Sequence, residues 1–275
     1  MSGSRGAHPL AKYCKAFSLG LQSSLEYRMN FLLGFLSFVF TLTIQYFMWT
    51  GIFRSSSGKT VYGYTYGQMI VYSFFAALTS KLLSGGFEYG ILDDVKSGGL
   101  SKFLVKPIGY LRYRLACYLG ERSFYSAVIL ALLAVLSVIF AFAYGYSTTL
   151  ARAGLFLVSV LLALLITFLI YAGSAALSFW MTDASAVFVI LGLVINVLSG
   201  GIFPLDIFGK TLQAVFSFLP FQYTIYFSVN ILCGALTLPQ IGFGLCIQLG
   251  WIAILFIVTN TVWKIGLKKY VAVGG

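Results

Sequence analysis

The chain of 275 residues is 60% hydrophobic, contains only 9% charged residues and has a formal net charge of +11. A soluble domain of this size needs a far more polar surface, so most of the surface is expected to face lipid. The low charge content leaves no room for a sizeable soluble domain, and we predict a single transmembrane domain over residues 1–275. The bases lie at the ends of apolar stretches, where they set membrane topology, which argues against a nucleic-acid partner.

The first predicted element is an amphipathic helix over residues 9–28. Tyr13, Phe17 and Leu21 recur at helical spacing on one face, and Lys12 lies on the opposite face. A helix of this kind can lie in the membrane interface, with its apolar face toward the acyl chains.

Six apolar stretches are predicted to cross the membrane as helices, because about 20 apolar residues span a hydrocarbon core of about 30 Å. The expected fold is therefore an all-α integral membrane domain with six transmembrane helices. If the N-terminus is inside, 14 of the 18 Lys and Arg lie on inside segments and 4 on outside segments. This bias predicts a multi-pass protein of the cell membrane with both termini in the cytoplasm. The predicted spans are about 30–53, 67–83, 115–144, 153–180, 184–198 and 241–262.

The longest polar interruption, residues 84–112, lies between the second and third predicted spans. Phe87, Ile91 and Val95 fall at positions i, i+4 and i+8, which predicts one apolar stripe along a short helix. Gly98 can end that helix in a left-handed conformation. Two interpretations stay open from these residues alone: a helix that docks on a soluble partner, or a solvated loop on the lipid head groups.

A second interruption follows the fifth predicted span. The run Gly200-Gly-Ile-Phe-Pro204 breaks the helix, and Pro220 interrupts the moderately apolar residues that follow. Non-helical backbone at membrane depth is tolerated only where protein or water covers it. We therefore predict an outer re-entrant segment over residues 205–239. The alternative is a full crossing over residues 221–238, which would place the C-terminus outside.

Two of these stretches resemble a known family. The run Asp93-Asp-Val-Lys-Ser-Gly-Gly-Leu-Ser-Lys-Phe-Leu-Val-Lys-Pro107 resembles the cytoplasmic segment between the second and third spans of type-2 ATP-binding-cassette (ABC) exporter permeases. The run Gly200–Pro204, followed by Phe218-Leu-Pro-Phe221, resembles the glycine–proline pair that brackets the outer re-entrant helices of these permeases. The N-terminal amphipathic helix is similar to their elbow helix.

The resemblance implies roles for particular residues. It implies a coupling helix that docks on an ATPase, with its apolar stripe in a cleft of that partner, and a break that shapes the outer re-entrant segment. The implied docking residues are Phe87, Glu88, Ile91, Asp93, Asp94, Val95 and Lys96. The implied break residues are Gly200, Gly201, Pro204 and Pro220.

The resemblance also implies the partners. An exporter permease works with two ABC ATPase subunits and a second permease, identical or a sister chain, in a membrane that is expected to be a bacterial inner membrane. The resemblance does not name a substrate, but the lack of ionisable residues at mid-depth in the predicted spans is compatible with an amphipathic or lipid-like one. ATP and Mg²⁺ would bind the ATPase, and no cofactor is expected in this chain. Gly58-Lys-Thr60 and Gly209-Lys-Thr211 lack the glycine that a phosphate-binding loop needs five residues ahead, since Phe53 and Pro204 stand there.

No catalytic or metal site is expected in this chain. The sequence has one His, and the adjacent Asp93 and Asp94 point about 100° apart on a helix. The predicted spans carry no Asp, Glu or Arg at mid-depth, which argues against an ion-coupled carrier. The alternative from another class is an integral-membrane lipid-modifying enzyme, which would need a cluster of His, Asp or Glu at one membrane face. A passive channel would need repeated polar residues along a pore.

Overall fold

The computed structural model describes residues 9–26, 28–56, 60–181 and 183–270. The beginning and the end of the predicted domain, and part of the Gly58-Lys-Thr60 run, lie outside these ranges. Within them the chain is almost entirely helical. The α-helices, numbered in chain order, are α1 (Pro9–Glu26), α2 (Arg28–Ser55), α3 (Tyr66–Leu83), α4 (Phe87–Lys96), α5 (Ser101–Leu104), α6 (Tyr110–Tyr144), α7 (Leu150–Ala175), α8 (Ser185–Leu198), α9 (Gly209–Ser217), α10 (Tyr226–Leu232) and α11 (Leu238–Lys269). Short 3₁₀-helices cover Ala176–Phe179, Leu205–Phe208 and Phe221–Tyr223.

A small β-hairpin joins α2 to α3. Strands β1 (Thr60–Val61) and β2 (Tyr64–Thr65) pair antiparallel. The two residues of the turn, Tyr62 and Gly63, have φ angles of 54° and 82°. This is the twist that a two-residue hairpin turn requires. Residues 60–65 thus form a hairpin that leads directly into α3.

Five helical stretches in the described parts of the chain are long and apolar enough to cross a membrane. A sixth is counted if the bent pair, Leu205–Ser217 and Phe221–Leu232, is taken as one crossing; its two halves meet at 102°. The structure is therefore all-α with five to six candidate spans. The five long stretches are Leu33–Ser55, Tyr66–Lys96, Tyr110–Tyr144, Leu150–Phe179 and Leu238–Lys269.

Helix α8 corresponds to the predicted span at residues 184–198, but it is short. Its 14 residues reach about 21 Å at 1.5 Å per residue, less than the hydrocarbon core of about 30 Å. Beyond α8 the backbone continues through turns and bends to Pro204. A crossing at this place therefore needs α8 together with the non-helical stretch after it.

Helix α3 is the most buried of the long helices. In its most apolar window 67% of the residues are buried, against 11% in α2 and 17% in both α6 and α11. Met69, Phe75, Ala76 and Thr79 have no exposed surface. The helix packs against α2, α6, α7 and α10. It therefore forms the centre of the bundle. A displacement of α3 must also displace the helices that pack against it.

Contacts between loops identify one end of the bundle, named here the α4 end. The ammonium group of Lys96 in α4 lies 3.7 Å from a carboxylate oxygen of Asp183 in the turn between α7 and α8. The Ser101 hydroxyl lies 3.1 Å from the hydroxyl of Tyr270, directly after α11. The Lys12 side chain of α1 reaches the carbonyl of Pro107 at 3.5 Å. The segment from α4 to α6, the turn before α8 and the end of α11 therefore lie at one end of the bundle.

The opposite end, named here the hairpin end, holds both ends of the bent pair. At the start of the pair, Asp206 accepts a hydrogen bond from the hydroxyl of Tyr64 in the β-hairpin. At its finish, the carbonyl of Leu232 accepts one from the hydroxyl of Tyr146, in the turn between α6 and α7, at 2.7 Å. The bent pair thus enters and leaves at the same end of the bundle.

Helix α1 packs along α6 through small residues. Ala16, Gly20 and Ser24 are buried on this contact, whereas Phe17 of the predicted apolar face and the nearby Leu25 are 39% and 48% exposed. Small side chains make the contact with α6 because they allow the two backbones to approach closely. The apolar side chains face outward, where a membrane interface can receive them.

We expect Gly20→Leu to weaken the docking of α1 on α6. A Cβ atom at Gly20 would lie 2.1 Å from the carbonyl oxygen of Cys117, and backbone cannot move aside as a flexible side chain can. Overpacking of this kind costs about 1–3 kcal/mol. Limited proteolysis in detergent should cleave α1 faster in this variant. Gly154→Leu is the matched control, since a Cβ there meets nothing within 4 Å; equal cleavage of both variants would contradict the contact.

Candidate functional site

Helix α4 is attached to α3 by a three-residue turn, Ser84 to Gly86, that two side chains hold. The guanidinium of Arg122 in α6 donates to the Ser84 hydroxyl at 2.9 Å and to the Gly85 carbonyl at 2.6 Å. The carboxylate of Glu88 accepts the N–H of Gly86 at 2.6 Å. Gly86 has a φ of +130°, which side chains rarely tolerate, so glycine suits this position. The turn therefore transmits the position of α4 to α3 and α6.

The apolar stripe of α4 faces the interior of this chain. Phe87, Ile91 and Val95 are 8%, 0% and 7% exposed. The ring of Phe87 stacks on Phe168 of α7 with ring centroids 4.8 Å apart, and it also contacts Tyr118. The spacing thus identified the apolar face of a short helix. In this structure the apolar face of α4 packs on α6 and α7 of the same chain. It therefore does not present itself to a cleft on a partner, as the resemblance implied.

The C-terminal half of α4 is attached to the start of α6 by a charged cluster. The carboxylate of Asp94 accepts hydrogen bonds from the hydroxyl of Tyr110, at 2.6 Å, and from the guanidinium of Arg114. Arg114 also donates to the carbonyl of Gly90 at 2.6 Å. The Tyr110 ring stacks on Trp263 of α11 at 5.2 Å. The carboxylate of Asp94 therefore binds groups of its own chain. Its partner base, Arg114, lies 20 residues further on and could not be found from sequence spacing.

The face of α4 that remains accessible is polar. Asp93 and Lys96 are exposed, and Tyr89 is 40% exposed with its ring edge on Phe188 of α8. Lys96 pairs with Asp183, and hydrogen bonds from the Ser185 hydroxyl and backbone N–H hold the pKa of that carboxyl below its usual value. An ion pair this exposed contributes little to stability. These groups are therefore available to a partner at small cost.

The accessible surface continues past α4. Val105 is 84% exposed between the exposed bases Lys102 and Lys106. Together Tyr89, Asp93, Lys96, Lys102 and Val105 mark the polar surface at the α4 end. Only Asp93 and Lys96 of this surface belong to the residues that the resemblance implied, and Glu88 is 3% exposed.

The glycine pair after α8 ends that helix in a defined way. Gly200 has a φ of +78°, and the N–H groups of Gly200 and Gly201 donate to the carbonyls of Val197 and Asn196. This pattern satisfies carbonyls that the helix end leaves free. The hydroxyl of Tyr72 in α3 donates to the carbonyl of Gly200 at 2.8 Å. The break is therefore held against the central helix.

The two prolines each precede a 3₁₀ turn of the bent pair. Pro204 precedes Leu205–Phe208, and Pro220 precedes Phe221–Tyr223 at the bend. Just after Pro204, the carboxylate of Asp206 accepts hydrogen bonds from the hydroxyls of Tyr64 and Tyr226. It also accepts one from the side-chain amide of Gln213 at 2.7 Å. No periodicity predicts the contact with Tyr64, which lies 142 residues from Asp206 in the sequence.

A buried amide satisfies the backbone at the bend. Gln248 of α11 has no exposed surface, and its amide donates to the carbonyls of Tyr223 at 2.7 Å and Ser159 at 3.1 Å. Gln248 is ten residues into α11, a depth of about 15 Å from its start. The bend therefore lies near half the thickness of a hydrocarbon core of about 30 Å. In the sequence Gln248 is one isolated polar residue of an apolar helix.

The chain matches the family described as "ABC-2 family transporter protein" over residues 28–274. It therefore belongs to the ABC-2 transporter family, and with its five to six apolar helices it is a multi-pass membrane protein. Members of this family are in general transport subunits that work with ABC ATPases, so the lipid-modifying alternative is not favoured. No curated protein matches the chain. Within the described residues, no group of three or more His, Cys, Asp or Glu side chains could hold a metal ion.

We expect Arg114→Ala to loosen α4 from the bundle. The substitution leaves the Asp94 carboxylate half-buried without its base, and a hydrogen bond to a charged group contributes about 1.5–3 kcal/mol. Hydrogen exchange of the amides in α4 should rise by about tenfold or more. Arg112→Ala, which removes an exposed cation from the same helix, should leave that exchange unchanged. Equal exchange in both variants would show that the charged cluster does not hold α4.

Proposed function

We propose that this chain is the membrane subunit of an ATP-driven exporter that moves an amphipathic or lipid-like substrate. Membership of the ABC-2 family supports the general class. The observation that carries the proposal further is the attachment of α4, because it links an accessible polar surface to the most buried helix of the bundle. ATP and Mg²⁺ would be held by a separate ATPase chain.

In the proposed mechanism the polar surface at the α4 end docks on the ATPase. Asp93 and Lys96 offer one exposed charge of each sign, and Tyr89 offers an aromatic edge beside them. The buried stripe Phe87–Val95 then transmits motion into the bundle rather than binding the partner. When the ATPase subunits close, α4 is pushed, and the turn held by Arg122 passes the displacement to α3. The pathway is reshaped because α3 packs against four neighbouring helices.

The α4 end is proposed to be cytoplasmic. The positive-inside bias supports this orientation, since most bases fall on segments that the loop contacts group at the α4 end. Both termini would then be cytoplasmic, with α1 as an elbow helix on the inner membrane surface. The cell membrane would be a bacterial inner membrane.

The bent pair is proposed to be the outer re-entrant segment. Its two ends bond to loops at the same end of the bundle, through Tyr64–Asp206 and Tyr146–Leu232, and its bend lies near mid-depth against Gln248. A full crossing would separate those two ends by the membrane thickness. The segment would cap the pathway from outside. A second permease, identical or a sister chain, would complete the pathway, and two ATPases would bind the pair.

The topology can be tested by cysteine labelling in intact cells. In a background without the native cysteines, single cysteines at Ser147 and Thr237 should react with a membrane-impermeant thiol reagent, because both lie at the hairpin end and are exposed. A cysteine at Lys102 should react only after permeabilisation. Labelling of Thr237 from the cytoplasmic side alone would mean that the bent pair crosses fully, and the re-entrant proposal would be wrong. The native cysteines to replace are Cys14, Cys117, Cys233 and Cys246.

The docking surface can be tested by charge reversal at Asp93. We expect Asp93→Lys to reduce the amount of ABC ATPase that co-purifies with the tagged chain from its native membrane by about fivefold or more, since like charges across an interface disfavour binding. Glu26→Lys makes the same charge change on exposed α1 and should leave ATPase recovery unchanged. Full recovery with Asp93→Lys, while Ile91→Asp abolishes it in a folded chain, would restore the apolar stripe as the docking face.

A further inference from the structure

A cavity of about 240 Å³ lies between α2, α3 and α6 toward the α4 end. Its polar part contains two cationic side chains, Lys81 of α3 and Arg122 of α6. Its other walls are apolar, with Phe35 and Phe38 of α2 on one side and Leu132 of α6 on another. The cavity is therefore amphipathic, with positive charge at one end and hydrocarbon along the rest.

Neither of the two cations has an acid within ion-pair distance among the described residues. The ion pairs found there are Lys96–Asp183 and Arg114–Asp94. Lys81 and Arg122 instead lie close enough to repel each other. Two unneutralised cations in a cavity between membrane helices are costly, because nearby apolar walls raise the energy of an uncompensated charge. An anion in the cavity would remove that cost.

The surroundings of Arg122 fix its side chain in place. Two of its nitrogens hold the turn before α4, and its guanidinium lies over the rings of Tyr118 and Tyr125 at 5.5 and 6.0 Å. Its Nε is buried without a hydrogen-bond acceptor. Two acids, Glu88 and Glu121, interact electrostatically with Arg122, but among the described residues neither lies within ion-pair distance of it or lines the cavity. The carboxylate of Glu88 accepts the N–H of Gly86 instead. The charged side chains that line the cavity are therefore both cationic.

Lys81 is directed into the helix contact. Its Nζ atom would lie 3.5 Å from a Cβ added at Gly34 of α2. A lysine that reaches only for water would extend away from the neighbouring helix. Here a glycine on α2 leaves space beside the ammonium group, so the charge borders the cavity.

We infer that this cavity binds the phosphate of a lipid head group, with the acyl chains along α2. Basic pockets between membrane helices on the cytoplasmic side are known to take anionic head groups. The occupant is a lipid rather than free phosphate because the remaining walls are apolar and α2 faces outward, with Leu33, Leu36 and Phe40 more than 60% exposed. Only the assignment to the inner leaflet rests on the proposed orientation.

The site also lies where it can influence coupling. Arg122 borders the cavity and holds the turn between α3 and α4 at the same time. A bound phosphate would neutralise the two cations and favour the arrangement in which Arg122 stays on that turn. Lipid binding would thereby stabilise the connection through which α4 moves α3.

The test uses the purified full chain in an uncharged detergent and measures the affinity for three probes by calorimetry. The probes are dioctanoyl phosphatidic acid, dioctanoylglycerol, which lacks the phosphate, and inorganic phosphate. We expect binding of the phosphatidic acid alone. Lys81→Gln should weaken that binding by about tenfold or more, as the loss of a charge-assisted contact predicts. Lys102→Gln removes an exposed base at the α4 end and should not change it.

Three outcomes would overturn the inference. They are no binding of phosphatidic acid, equal binding by Lys81→Gln and the unmodified chain, and equal affinity for inorganic phosphate, which would indicate a free-anion site. Arg122→Gln is a second variant, but it also removes the hold on the α3–α4 turn, so Lys81→Gln decides the matter. Since the assay contains no ATPase and measures no transport, its failure would leave the proposed exporter function standing.

Discussion

The structure depends on satisfying backbone polar groups where helices break between apolar helices. Water is absent from the hydrocarbon core, so every free carbonyl or N–H there needs a partner from the protein. The carbonyl of Gly200 receives the Tyr72 hydroxyl, and that of Tyr223 receives the Gln248 amide. These bonds fasten the interrupted region after α8 to α3 and α11. Without them the breaks would leave unpaired carbonyls in an apolar environment, each at a cost of several kcal/mol.

Helix α3 connects the two ends of the bundle. Toward the hairpin end it carries Tyr72 against the break at Gly200, and at the α4 end it leads into the turn held by Arg122. Closely packed protein interiors transmit strain rather than absorb it. A push on α4 can therefore reach the bent pair through one buried helix. In the proposed exporter this is the physical route from ATP hydrolysis to the outer side of the pathway.

The charged residues near the α4 end serve different purposes. Arg114 forms an ion pair with Asp94 of the same chain, whereas Asp93 and Lys96 remain exposed. Arg122 holds a turn with two nitrogens but has no acid within ion-pair distance among the described residues. Charge inside or beside a membrane is expensive unless something compensates it. A base without an acid partner, such as Arg122, can therefore attract a ligand in addition to holding a turn.

The sequence by itself determined the membrane class, the all-α fold and the transporter family, because long apolar runs in lipid can only be helices and because two glycine–proline patterns fall in matching places. It also located the helix at Phe87–Lys96 from a three-residue apolar stripe. Tertiary structure alone decided which partner that stripe meets, and it meets Phe168 and Tyr118 of this chain. Periodicity reveals that a face is apolar but carries no information on what covers it. Likewise, the hydrogen bond between Tyr64 and Asp206 joins residues 142 positions apart, which only the folded chain brings together.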